Sequence, residues 1–273
     1  MGASSGGKVL RFLSKVYKEA DLVLENIFTE VFQKDVVEYD FTYKDAVITG
    51  LIENILNHTK SIIILIENSH HTSLDSLLRT IFENYVHLRY ILKDDSELRA
   101  KSYVYSTRLS EFQMIDKLKE QSLIGRKIRD FVRVSLEQIT QTYQSKTDPS
   151  RRERIEKRYI NDIGMKRLEQ KWYNLDGKTN SFKKLCKSLD LEAEYEIVYS
   201  ILSKEVHGKD AVDKLEIQKY YVGVKNSDAK DTELHISLLT LYLIELVRLI
   251  YKHYGMTNRL KHFNTMLRLH KRY

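Results

Sequence analysis

A single proline, Pro149, and ten glycines are spread over 273 residues, and this scarcity limits how the chain can fold. Tight turns draw on Gly and Pro for backbone geometry that other residues adopt only at a cost. A sandwich, barrel or doubly wound sheet needs many such turns, whereas long helices need neither residue. The fold expected is therefore all-α, a multi-helix bundle of about eight to ten helices with at most a minor hairpin. With 42% hydrophobic residues, a chain of this length can bury a substantial core in one or two domains.

Apolar positions recur at threes and fours along most of the sequence. Leu10, Leu13, Val16, Tyr17, Leu24, Ile27, Phe28 and Val31 predict a first helix from about Val9 to Phe32. A second, over Tyr43 to Glu67, is apolar around much of its girth and should be central. Ser69 to Ser73 offer caps for a third, whose ridge runs from Leu74 to Leu92. Further helices are expected over Glu97–Lys119, Ile124–Ser145, Arg151–Gln170, Ser181–Leu189, Glu192–His207, Thr232–Tyr254 and Asn258–Lys271. Pro149 marks a break, and Lys219 to Lys225 reads as a small hairpin or ordered loop. Residues 1–8, MGASSGGK, read as a flexible leader, 9–254 as a helical domain and 255–273 as a basic C-terminal helix. Gly2, Gly7 and Lys8 have the spacing of a phosphate loop. The pattern needs a preceding strand and a following Ser or Thr, whereas here Met1 precedes it and Val9 follows, so that reading is rejected.

The net charge is +7 and the pI about 9.1, which favours a polyanionic partner: nucleic acid, RNA ahead of DNA, or an acidic protein surface. A homodimer is compatible with the same surface. The lone cysteine, Cys186, excludes an intrachain disulfide and fits a reducing, cytoplasmic setting. Flanked by Phe182, Leu185 and Leu189, it reads as a core residue. No stretch reaches the roughly 18 apolar residues of a membrane span, so no membrane is expected among the partners.

Two segments carry a resemblance. One is Leu77-Leu78-Arg79-Thr80-Ile81-Phe82-Glu83 with the Tyr90-Ile91-Leu92 end of the same helix. The other starts at Trp172, continues through SFKKLCKSLDL and ends in Tyr199-Ser200-Ile201-Leu202-Ser203-Lys204-Glu205-Val206-His207-Gly208. Together they resemble an uncharacterised bacterial, all-helical family of unknown function, over about residues 70–254. The resemblance carries no settled activity and implies no cofactor. In general build such proteins are similar to small helical RNA-cleaving and nucleotide-binding domains of prokaryotic toxin and anti-phage systems. That likeness implies a toxin-like or phage-defence protein acting on RNA or a nucleotide, as a metal-independent ribonuclease or other nucleotide-acting enzyme. Fold does not fix function, and a non-enzymatic module binding a protein or nucleic acid is the alternative.

Arg79, Glu83 and His87 are spaced by four and form one polar line on a helix, as do Tyr199, Ser203 and His207. If the two lines face each other, Arg79 would clamp a phosphate or carboxylate and His207 would move a proton. Glu83 would orient one of them, and Ser203 or Tyr199 would donate a hydrogen bond. The same residues would serve equally as a structural network, with Arg79 paired to Glu83 and His207 capping its helix before Gly208. Arg248 and His253 match the arginine–histidine spacing of the RNA-cleaving domains and make a secondary pair, although Leu249 stands where those domains carry a polar residue. Arg259, Lys261, Arg268, Lys271 and Arg272, with His262, His270 and no acid, form a nucleic-acid-binding candidate. Leu260, Phe263 and Leu267 would instead let that tail pack with a basic outer face. Glu67 and His70 form the only Glu-x-x-His, and paired cysteines are lacking, so no metal site is expected.

Overall fold

The computed structural model describes residues 5–33, 39–71, 73–144, 148–201, 215–218, 221–224 and 232–270. Among them are eleven α-helices: α1 (Ser5–Ile27), α2 (Tyr43–Glu67), α3 (Leu74–Lys93), α4 (Ser96–Lys119), α5 (Leu123–Val132), α6 (Leu136–Thr142), α7 (Pro149–Asn161), α8 (Phe182–Ser188), α9 (Glu192–Glu194), α10 (Thr232–His253) and α11 (Thr257–Leu269). Phe28–Phe32 and Tyr195–Ile201 continue α1 and α9 as wider, π-helical turns. The two strands among the described residues, β1 (Leu215–Gln218) and β2 (Tyr221–Val224), form an antiparallel hairpin with Leu215 opposite Val224. The protein is an all-α bundle with a minor hairpin.

The chain divides into two compact units, Met1–Asp94 with Cys186–Tyr273, and Asp95–Leu185. In the first, α10 packs on α1 and α3, and α2 packs on α3. Ile236, Leu239, Leu243, Ile244, Leu246, Val247 and Ile250 are all buried on α10, and a helix apolar on this many sides needs neighbours around it. By length and composition α10 would also suit a membrane span, contrary to the expectation that no stretch is apolar enough. Yet 61% of its most apolar 18 residues is buried inside the protein, as in the core helix of a bundle. Tyr242 of α10 stacks on Tyr85 of α3 at 5.0 Å between ring centroids. The N-terminus of α2 is fixed by a capping box in which Asp45 accepts from the Thr42 backbone N–H and hydroxyl, both at 3.0 Å. The buried Asp45 carboxylate also accepts from the hydroxyls of Tyr39 and Tyr254, at 3.2 and 2.9 Å, so it ties this helix start to the end of α10. α1 begins at Ser5, and residues 1–4 of the expected leader lie outside the described residues. Propagation from packed turns, which adds a hydrogen bond for each residue fixed, carries the helix back through Gly6 and Gly7.

The second unit is built on Tyr105, Leu109 and Phe112 of α4 against Tyr159 of α7, Ile163 and Met165. The stretch read as one helix over Ile124–Ser145 is two. Arg133 turns left-handed (φ 55°) at the end of α5, and Ser135 starts α6 with a capping box to Gln138. The helix expected over Arg151–Gln170 opens at Pro149, whose missing N–H is harmless in a first turn, and stops at Asn161. Gly164, at φ +80°, then turns the chain so that Met165 returns to the core. The link that follows is held by the Tyr159 hydroxyl donating to Gln170 O and the Ser102 hydroxyl donating to Trp172 O, both at 2.7 Å.

Candidate functional site

The polar line on α3 is longer than its sequence reading, because Asp75 precedes Arg79 by one turn, as Arg79 precedes Glu83 and Glu83 precedes His87. Arg79 Nε donates to Glu83 Oε1 at 3.1 Å. Its guanidinium carbon lies 4.1 Å from the centroid of the Tyr199 ring, and Tyr199 itself stacks on Tyr195 at 5.0 Å. The Arg79 side chain is 17% exposed and that of Glu83 37%. Burial opposes the arginine charge, but the Glu83 hydrogen bond and the adjoining Tyr199 outweigh it, so the guanidinium pKa is raised. Nη1 of Arg79 is buried and has no hydrogen-bond partner among the described residues.

A second pair sits on the same line. His235, in the first turn of α10 and buried, places Nε2 2.5 Å from Asp75 Oδ1. A carboxylate in this position fixes the orientation of an imidazole. The pair spans 160 residues of sequence, so no local spacing could reveal it. The four-residue step from Asp75 to Arg79 was the available signal. At the far end of the line, burial lowers the His87 pKa to about 4, leaving that imidazole neutral near pH 7.

The structure thus brings Arg79, Glu83 and Tyr199 together. Ser203 and His207 lie outside the described residues, as do Lys271 and Arg272. Arg248 and His253 are five residues apart and therefore about 140° apart around α10. Arg248 donates to Asn264 Oδ1 of α11 at 3.1 Å and to Glu245 Oε1 at 2.9 Å. His253 adjoins Lys44 and Asp45; burial first, then Lys44, lowers its pKa against the opposing pull of Asp45. The two residues face different partners, without the shared focus that joint action on one phosphate requires.

α11 buries Phe263 and Leu267 and presents Lys261 and Arg268 outward. Arg259 is engaged, its Nε and Nη2 lying 2.7 and 2.6 Å from Glu30 Oε1 beside a cleft of about 340 Å³. Cys186 is fully buried, and burial pushes its thiol up to about 12, so it has the character of a core residue rather than a nucleophile. The basic excess is concentrated elsewhere. Residues 95–185 carry 21 Lys and Arg against 13 Asp and Glu, while the rest of the chain carries 24 against 25.

The model of a family of unknown function, DUF5677, matches residues 45–219, well over half of the chain. The chain belongs to the DUF5677 family. The DUF5677 match starts at Asp45 and ends at Lys219, earlier at both ends than the span of about 70–254 read from the sequence. It takes in Arg79, Glu83 and Tyr199 and the whole second unit. α1, α10 and α11, with His235, Arg248, His253 and the basic tail, lie outside it. No curated protein and no solved structure matches the chain.

Proposed function

We propose that this DUF5677 protein binds RNA or a nucleotide and acts on it at the Arg79 site, as a bacterial protein of the toxin-like or phage-defence kind working in the cytoplasm. The observation that carries the reading is the buried Nη1 of Arg79, which has no partner among the described residues while Nε is held by Glu83 and the guanidinium face by Tyr199. A buried donor on a cation is costly to leave unpaired, and a phosphate oxygen supplies the acceptor it needs. Asp75 and His235, one turn away on α3 and facing it from α10, provide an oriented imidazole for proton transfer. His207 remains the acid–base candidate read from the sequence. Cellular role and substrate class rest on the family resemblance and the net positive charge.

A non-enzymatic interaction module is the second reading, favoured by the partial burial of the Arg79–Glu83 pair. Substitution separates the two. If the site acts on a ligand, Arg79→Ala, His235→Asn and Glu83→Gln each abolish activity in cells or on RNA and leave the melting temperature within a few degrees. A purely structural network loses stability instead, by up to about 3 to 5 kcal/mol where a buried ion pair is broken.

A further inference from the structure

Helix α5 is mounted the wrong way round for a surface helix. Its inward face consists of Gly125 and Arg129, the two buried residues on it. Arg129 Nη1 donates to the carbonyls of Leu118 and Glu120 at 2.6 and 2.9 Å, closing the end of α4. A Cβ on Gly125 would overlap the Glu120 carbonyl oxygen, so only glycine permits this approach. These two contacts fix the rotation of the helix and turn its apolar side outward. Phe131 is 88% exposed, Leu123 64% and Ile124 58%.

We propose that α5 is a docking helix for an anionic lipid surface, lying flat with Leu123, Ile124 and Phe131 among the headgroups and acyl chain ends. Three features favour this occupant over a second copy of the chain. Lys127 falls between Leu123 and Phe131 in the middle of the outward stripe. In a two-fold antiparallel pair of α5 helices it would meet its own copy, whereas at a lipid surface its stem lies along the apolar layer and its ammonium reaches a phosphate. Ten residues of helix, about 15 Å long, offer far less than the roughly 800 Å² per partner of a stable protein interface. A lipid surface demands no minimum area, because shallow insertion and charge attraction add up. The charge is complementary: Arg126, Lys127 and Arg133 are exposed on or beside the helix, in the unit that carries the protein's basic excess. RNA would share the attraction to the cations and has no use for the aliphatic side chains. The proposal departs from the sequence expectation of no membrane partner, which rested on the lack of a stretch long enough to span one.

Sedimentation of the full chain with phosphatidylcholine vesicles, with and without one-third phosphatidylserine, tests the proposal. Binding is expected only with phosphatidylserine, weakening as salt rises. Leu123→Ser/Phe131→Ser should reduce it at least about tenfold with an unchanged circular dichroism spectrum, as expected for side chains that touch little in the fold. Phe131→Trp should show a blue-shifted emission on adding those vesicles and none on adding RNA. Absence of vesicle binding would overturn the proposal, as would full binding by the serine variant, which would leave charge alone as the cause. A wild-type dimer that becomes a monomer in the serine variant would also overturn it, by assigning the face to a second copy.

Discussion

His87 sits one turn beyond Glu83, and burial lowers its imidazole to about 4. An unfolded chain returns it to an ordinary value near 6.5, so between these values the unfolded state binds the extra proton. The stability gained by keeping His87 neutral is complete above about pH 6.5 and is lost as the pH falls towards 4. This group alone should cost about 2 kcal/mol at pH 5 relative to pH 8. His87→Gln should remove that share of the pH dependence in urea unfolding; an unchanged slope would show that the imidazole is well hydrated. Cys186 makes the opposite kind of statement, because its buried thiol is pushed up to about 12. It should resist a thiol reagent in the native protein and react at once in denaturant, whereas fast native labelling would contradict its placement. At this scale the sequence revealed what lies within one helical turn. Arg79 and Glu83 pair across four residues as their spacing implied, whereas His235 meets Asp75 only because α10 packs on α3.

The helices show the same division between local and non-local signals. The apolar spacing of Ile124–Ser145 reads as one helix because nothing in it breaks the period, yet Ser135 with Gln138 is a capping box that marks a new start. Ser135→Ala should therefore cost about 1 kcal/mol, read as a shifted denaturant midpoint. Gly125 gives a sharper test. Replacing a helical glycine with alanine ordinarily stabilises by about 1 kcal/mol. Here the new methyl would run into the Glu120 carbonyl oxygen, so Gly125→Ala should destabilise by about 1 to 3 kcal/mol. A stabilised variant would mean that α5 can move away from α4, and the outward placement of its apolar side would lose its structural cause. Periodicity could not show that inversion, since an amphipathic pattern is silent about which side faces the core.

For the whole molecule, poverty in Gly and Pro made the all-α class readable, and net charge pointed to polyanions without locating them. The tail drew attention because it lacks acids, but Arg259 is held by Glu30 and the basic excess lies in residues 95–185. Charge reversal at Arg154, Arg158 and Arg167, all exposed, should lower RNA affinity and flatten its salt dependence more than removal of residues 258–273 does, since the slope falls by about one for every phosphate that is no longer neutralised. An equal or larger effect of the tail deletion would return the footprint to α11. Arg79 is the group proposed to hold a phosphate. The most direct test is the affinity of the full chain for a nucleoside monophosphate, measured by calorimetry for wild type, Arg79→Lys and Arg79→Ala alongside their melting temperatures. A decrease of at least about tenfold in Arg79→Ala, partial retention in Arg79→Lys and closely similar melting temperatures are expected. Undiminished binding by a folded Arg79→Ala protein would contradict the account.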